Sequence, residues 1–551
     1  MRRRLTTSLL ALALLVPATG EAQSSASRTP TKSATASGGA TKTSSAARSG
    51  TKASTTTVTK KQVTASKPKV AKPAVASAAK RPAPKAAPIR AAVPTNANAL
   101  RDHLLSLVNS STKSGRWGVM VVSITRGDTL FGHNADAMLL PASTMKLYTS
   151  AVALERFGPA HQFRTEVLRD GAVLVDGTVQ GDLILKGAGD PSLAPRFAAW
   201  SAGQRPMDAL ADQVVRAGIT RVKGDIIGDA SAFETQRVPD GWRARYLQAS
   251  YAARVSALSF NENLAHITVR PSTRGAVVAF GQALSGLKLN SSVTVRPNTA
   301  GASVRVWQDT LTQQFRVSGW IGARSRTRTY QVVVEQPERF VAAAFRAALE
   351  SRGIQVDGVV RDGAASSSAQ RVTTWASPPL AQLVATMNGE SNNHFAELLF
   401  RNAARTDSVV GSAVTGNASL EKFLATRAGV ARGAVHAADG SGLSTLDRVT
   451  PRSMVQLLGY GVTAPWGQVL QQSLPIAGRT ETLRGRMRGT AAQGNLRAKT
   501  GTTNEVTSLG GYVTARNGEE LVFSFLYNGR ELWRARAAID AMGVTLASFS
   551  R

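Results

Sequence analysis

Apolar positions recur along this chain with two periods, and the alternation between them marks its organisation. From Asn98 to Val108 the spacing is helical, through Leu100, Leu104, Leu105, Leu107 and Val108. Residues 117–124 read as a strand, Thr125-Arg126-Gly127-Asp128 as a turn, and Thr129-Leu130-Phe131 as the returning strand. Residues 143–157 are helical again: Leu147, Ala151 and Leu154 form a stripe, and Gly158 is placed to end it. From about His161 to Thr373 the texture changes to short β-type runs parted by Gly, Asp and Pro, at 172–175, 181–186, 224–227, 276–279 and 329–334. Helices interrupt it near 207–217 and 339–352. Beyond Pro378 helical spacing returns at 380–387 and 393–404. Strands follow at 496–503, 506–514 and 521–527, with Asn517-Gly518 as a hairpin turn, and a helix at 532–547 closes the chain.

This order predicts an α+β fold, in which an antiparallel sheet flanked by helices is assembled from the two ends of the ordered chain. The expected boundaries are 97–160 and 374–551 for that domain, split by one or more inserted β-rich domains at 161–373. Before residue 97 the pattern is different. Arg2-Arg3-Arg4, the apolar run 8–16 and the small residues around Gly20-Glu21-Ala22 have the layout of a secretory signal, 1–22, whose apolar core is too short to span a membrane. Residues 23–96 are mostly Ser, Thr, Ala, Lys and Pro with no acid and no aromatic ring, a composition that cannot bury enough apolar surface to order itself. They read as a basic tether. A spacer role and nonspecific attraction to an anionic wall or membrane surface are both open.

Composition narrows the chemistry. The 551 residues carry a formal charge of +32. Of 67 Lys and Arg, 17 lie in residues 1–100 against the single acid Glu21, which leaves 50 basic and 34 acidic residues beyond. Nothing reads as a recognition helix, zinc finger or aromatic RNA platform, so nucleic acid is not an expected partner. The absence of Cys excludes disulfides and thiol nucleophiles, and the six His show no metal-ligand spacing. No metal or cofactor is expected.

Three short motifs occur in order: Ser143-x-x-Lys146, Ser391-Asn392-Asn393 and Lys499-Thr500-Gly501. The first is nonspecific alone, since seven Ser-x-x-Lys copies are present, and Ser143 there could equally be a helix N-cap. Its context differs from the other six, because it follows Pro141-Ala142 and opens an apolar helix, with Lys146 one turn on and on the same face. The ordered trio is the signature of serine acyl-transfer enzymes that recognise penicillin. A serine hydroxyl needs an adjacent base, and a lysine serves if burial and neighbouring cations lower its pKa. Lys499 is such a cation and can hold a carboxylate. Ser391 can relay a proton to a leaving amine, and Asn393 can orient Lys146. The backbone N–H groups of Ser143 and Thr502 are candidate oxyanion donors.

With Lys186–Leu193, Gly224–Phe233, Ser256–Asn263, Asp439–Ser444 and Leu474–Gly478, the chain resembles the D-alanyl-D-alanine carboxypeptidase/endopeptidase family, the class C low-molecular-mass penicillin-binding proteins, over roughly residues 97–551. The 248 positions between Ser143 and Ser391 suit this family's inserted domains better than the compact class A β-lactamases. The resemblance implies a β-lactamase/transpeptidase-like catalytic domain and hydrolysis of D-Ala-D-Ala termini and D-alanyl cross-links in peptidoglycan stem peptides. It also implies an acyl-serine intermediate, β-lactams as covalent inhibitors, and a periplasmic or cell-envelope location. Thr500, Gly501 and Thr502 would bind substrate, and Asp229 and Phe233 would line a pocket for the diaminopimelate side chain. The family often carries Arg after Asp-Gly-Ser-Gly-Leu-Ser and Asn two positions later; here these are Thr445 and Asp447, and Arg448 is the candidate replacement for the Arg. A β-lactamase, or a penicillin-sensing or wall-binding protein without catalysis, are the competing readings.

Overall fold

The strand Arg116–Ser123 pairs on one side with Thr129–His133, as the hairpin pattern predicts, and on the other with Glu520–Asn528 from the far end of the chain, Trp117 opposite Tyr527. This computed structural model describes residues 93–551 other than Ala202, all within the second of two units that divide at Pro82/Ala83. The expected signal segment, and the tether as far as residue 92, lie outside the described residues. The central sheet runs in the order Arg497–Thr502, Val506–Thr514, Glu520–Asn528, Arg116–Ser123, Thr129–His133, antiparallel throughout.

Both faces of this sheet are buried, and strand alternation decides which residue serves which face. Val119, Val121, Phe523 and Phe525 pack with Leu100 and Leu104 of the helix Ala97–Ser111 and with Ile539 and Met542 of Leu532–Ser548. Their neighbours Met120, Val522 and Leu526 join the opposite cluster. There Leu147 and Tyr148 of Met145–Phe157, Phe395 and Leu399 of Asn393–Asn402, and Met454 and Leu458 of Pro451–Thr463 form a helical layer.

The chain leaves this region at Phe163 and returns at Ser377, which are joined in both directions: Phe163 N–H donates to Ser377 Oγ at 2.9 Å and Ser377 N–H to Phe163 O at 2.9 Å. Between them stands a second five-stranded sheet, ordered Val360–Asp362, Ile226–Asp229, Asp182–Lys186, Arg164–Asp170, Gln370–Ala376, with small three-stranded sheets beyond it. Its first three strands are parallel, and the helices Pro206–Arg216 and Pro337–Glu350 lie on the connections between them. The expectation of β-rich texture missed these parallel crossovers, because each strand is only three to five residues long. Residues 172–175, expected as a strand, make a single bridge from Val173 to Val179. Gly171 and Gly177, both at positive φ, turn the chain too tightly for more. An apolar cluster drawn wholly from residues between Val167 and Trp375 holds this part together, with Phe340, Val341, Phe345 and Leu349 along its main helix. From it the stretch 230–263 reaches the first sheet's helical layer, where Phe233, Trp242 and Val255 cluster with Leu398.

Phe345→Ala is expected to cost about 3–5 kcal/mol, since the ring is fully buried. A lowered denaturant midpoint by near-ultraviolet circular dichroism checks it.

Candidate active site

Ser143 lies in a single 3₁₀ turn, Ala142–Thr144, and the regular helix begins only at Met145. Neither helix start has a side-chain cap bond, so Ser143 is not acting as an N-cap. Ala142 has φ +48°, a left-handed conformation that costs a non-glycine residue of order 1 kcal/mol or more. The surroundings impose it. Pro141 O accepts from Thr144 Oγ1 and from Ser508 Oγ, each at 2.7 Å. Asn528 bonds Leu140 through both its N–H (2.8 Å) and its carbonyl (3.0 Å). Two glycines allow the close approach that completes the clamp. A Cβ on Gly501 would sit 2.1 Å from Ser508 Oγ and 2.8 Å from Pro141 O, and one on Gly442 would sit 1.8 Å from Ala142 O.

Lys146 is fully buried one turn below. Its Nζ contacts Ser143 Oγ at 3.2 Å, Asn393 Oδ1 at 2.7 Å and Ser441 O at 2.7 Å. Asn393 Nδ2 donates to Tyr251 O at 2.8 Å, which fixes the amide with its oxygen toward the lysine. Two of the three contacts therefore fall on groups that can only accept. A neutral amine has two N–H bonds and one lone pair, and the lone pair is left for the Ser143 hydroxyl proton. Burial lowers the Lys146 pKa to about 8, against an opposing pull led by Asp439 and then Glu397.

Lys499 is equally buried and donates to Ser391 Oγ and to Thr500 O, each at 2.8 Å. Burial, reinforced by the charge of Lys146, holds its pKa well below the usual lysine range. Ser391 has φ +59° at the junction of the helices Leu380–Glu390 and Asn393–Asn402, and Asn392 caps the second. The residues 391–393 thus form a break between two helices, which turns Ser391 toward Lys499 and Asn393 toward Lys146. Arg497–Thr502 is an edge strand. Pro475 and Ala477 cover its beginning. Thr503 N–H pairs inward with Val506 O, so antiparallel alternation turns the N–H groups of Thr502 and Thr500 to the open side.

Residues 100–549 match the D-Ala-D-Ala carboxypeptidase 3 (S13) family. The chain belongs to that family. Within it, the chain is 35% identical over 449 residues to the D-alanyl-D-alanine carboxypeptidase of Actinomadura sp. (strain R39), covering 79% of this chain and 81% of that protein. It is 24% identical to D-alanyl-D-alanine carboxypeptidase DacB of Haemophilus influenzae, over 79% of this chain and 90% of the other. The crystal structure of penicillin binding protein 4 from H. influenzae superposes with a TM-score of 0.68 at 24% identity, covering 80% of this chain and 98% of that one. The fold of this S13 member is therefore the expected α+β arrangement.

The site also contains groups that the motifs did not reveal. The loop Asp439–Ser444 supplies the Ser441 carbonyl, and Asp439 builds that loop. Its carboxylate accepts from the N–H groups of Ser441, Gly442 and Ser444, from Ser441 Oγ, and from Trp242 Nε1 at 2.7 Å. Beside Ala142 a cleft is lined by Arg243, Tyr246, Ser444, Thr445, Thr503 and Glu505, among others. Arg243 and Glu505 form a two-point ion pair in its wall, at 2.9 and 2.7 Å. Asp229 and Phe233 line a different cavity, of about 190 Å³, with Glu234, Arg237 and Glu338. Both Asp229 oxygens already accept backbone N–H groups, from Ser231 (2.8 Å) and Ala365 (2.9 Å). The Arg448 guanidinium folds back on the carbonyls of Thr445 (3.0 Å) and Asp447 (2.6 Å). The arginine lining the cleft is Arg243, not Arg448.

Gly442→Ala adds a Cβ against the Ala142 carbonyl at a φ of +82°. Its cost should exceed about 1 kcal/mol, seen as a lower melting temperature, whereas Gly459→Ala, with open space around it, should not lower it.

Proposed function

We propose that this protein is an exported serine D,D-peptidase that hydrolyses D-Ala-D-Ala termini and D-alanyl cross-links of peptidoglycan stem peptides, and that β-lactams acylate it. One observation carries the reading: a buried Lys146 Nζ 3.2 Å from Ser143 Oγ, with its other two contacts on obligate acceptors. In this mechanism neutral Lys146 takes the Ser143 proton as Oγ attacks the penultimate D-Ala carbonyl. The N–H groups of Ser143 and Thr502 hold the oxyanion. Lys499 and Thr500 face the terminal carboxylate, and the substrate backbone lies along the edge strand at Thr500, Gly501 and Thr502. The proton then passes from Lys146 through the Ser391 hydroxyl to the departing D-Ala amine, which leaves Ser391 intact and Lys146 neutral again. The acyl-Ser143 ester is then hydrolysed with Lys146 again as base.

The H. influenzae protein has also been crystallised in complex with a β-lactam, and this supports the inhibitor reading. The same reading assigns 97–160 and 374–551 to the catalytic domain and 161–373 to the insertion. Export rests on the signal pattern at 1–22. Among the described residues no helix is long and apolar enough to cross a membrane.

A fluorescent penicillin should label the protein on Ser143, and Ser143→Ala should abolish labelling without lowering the melting temperature. Unlabelled wild-type protein would sink the proposal. Rapid turnover of a chromogenic cephalosporin would favour a β-lactamase. Release of D-Ala from a pentapeptide, measured beside cleavage of a cross-linked dimer, separates the two peptidase activities.

The base is active only when neutral, so the acylation rate should rise about tenfold per pH unit below the Lys146 pKa and level off above about 8. Stopped-flow acylation from pH 5 to 10 measures this.

A further inference from the structure

Three carboxyl groups with no exposed surface, Glu397, Asp439 and Asp447, lie beneath Lys146. The cations facing them are few. Arg401, on the same helix as Glu397, is bonded to it at 2.7 Å and lies 3.4 Å from Glu234. Lys146 faces them from its own helix, with Lys499 beyond it. Arg448, next to Asp447 in sequence, spends its guanidinium on backbone carbonyls. A neutral Lys146 would leave three buried carboxylates against Arg401, an arrangement the interior does not tolerate.

Hydrogen bonding shows where a proton resolves this. Asp439 accepts five donors across its two oxygens. Glu397 accepts Gly440 N–H on one oxygen and Arg401 on the other. Asp447 is lopsided. Its Oδ1 accepts the N–H groups of Ala438 (2.9 Å) and Asp439 (3.2 Å), while Oδ2 is buried with no donor. The main-chain N–H of Asp439 holds that carboxyl, so the two acids are neighbours at the base of the loop. Two adjoining carboxyls in a dry interior cannot both ionise.

We propose that Asp447 carries a proton in the resting protein, donated toward Asp439, and that this proton makes Asp447 a positioning residue for Lys146. It holds the loop Asp439–Ser444 closed on Ser143 and keeps one negative charge away from the lysine. Burial and the Asp439 charge both push the Asp447 pKa well up, in the same direction. The consequence for Lys146 rests on the peptidase reading; the protonation itself does not.

Asp447→Asn keeps the Oδ1 acceptor and replaces the proposed O–H with N–H. An unfolded Asp ionises near pH 4. Wild-type protein holding a proton there should lose stability relative to the variant as pH rises above about 4. The variant's melting temperature should therefore exceed wild type by about 2 °C or more at pH 8, and the gap should close toward pH 4. Asp447→Ala should slow penicillin acylation at least about tenfold, and Asn should restore it with the midpoint of the pH profile unchanged. An Asn variant less stable than wild type at every pH, or a midpoint lowered by about one unit, would mean a charged Asp447 and overturn the proposal. A stability gain from Glu397→Gln in place of Asp447→Asn would overturn it by moving the proton to Glu397. The melting series decides the protonation even if penicillin fails to react.

Discussion

Two lysines without water dominate this structure. An ammonium group deprived of solvent must find fixed acceptors or give up its proton, and Lys146 and Lys499 stand close enough for the charge of one to discourage that of the other. Lys146 meets the requirement with groups from three separated parts of the chain: its own turn, the helix beginning at Asn393, and the loop at Ser441. Everything that brings those parts together serves the same end. The two glycines admit close backbone contacts, the Ala142 and Ser391 conformations aim their neighbours, and Asp439 ties down the loop. The layers of apolar packing on both faces of the central sheet absorb the cost of this arrangement.

The second sheet system is part of that constraint. The stretch 230–263 fixes the Asn393 amide through the Tyr251 carbonyl and meets Asp439 through the Trp242 indole. It also bonds Asn392 through Glu262, at 2.9 Å. The polarity of the site is therefore set partly by residues far from it in sequence.

What could be read from the sequence follows from where the information lies. The strands and helices of the central layer have clean periods, and Ser143, Lys146, Ser391, Asn393 and Lys499 sit in contiguous tripeptides or one helical turn, so each motif is local. The missed partners are of another kind. The carbonyls of Ser441 and Tyr251 belong to the backbone, and any residue type would supply them. Arg243 and Glu505 are 262 positions apart, and nothing in either neighbourhood announces the other. The runs at 181–186 and 224–227 were read as strands, but their parallel pairing was missed, because the direction of a run as short as Ile226–Asp229 is set by its neighbours rather than by its own alternation. Arg448 shows the opposite limit: a motif can name a charged side chain whose hydrogen bonds turn out to be local.

The reciprocal bonds between Phe163 and Ser377 give the fold a narrow stem. More than two hundred residues branch off there and rejoin within a hydrogen bond of their point of departure, so their bulk imposes almost no separation on the segments either side. Geometrically the branch is a graft: its length can drift without moving Ser143 relative to Ser391. Chemically it is not dispensable, because pruning it would strip the Asn393 amide of its orientation and Asp439 of an indole donor. The outgrowth therefore has two kinds of position, those of its far sheets and the few contacts through which it leans back on the trunk.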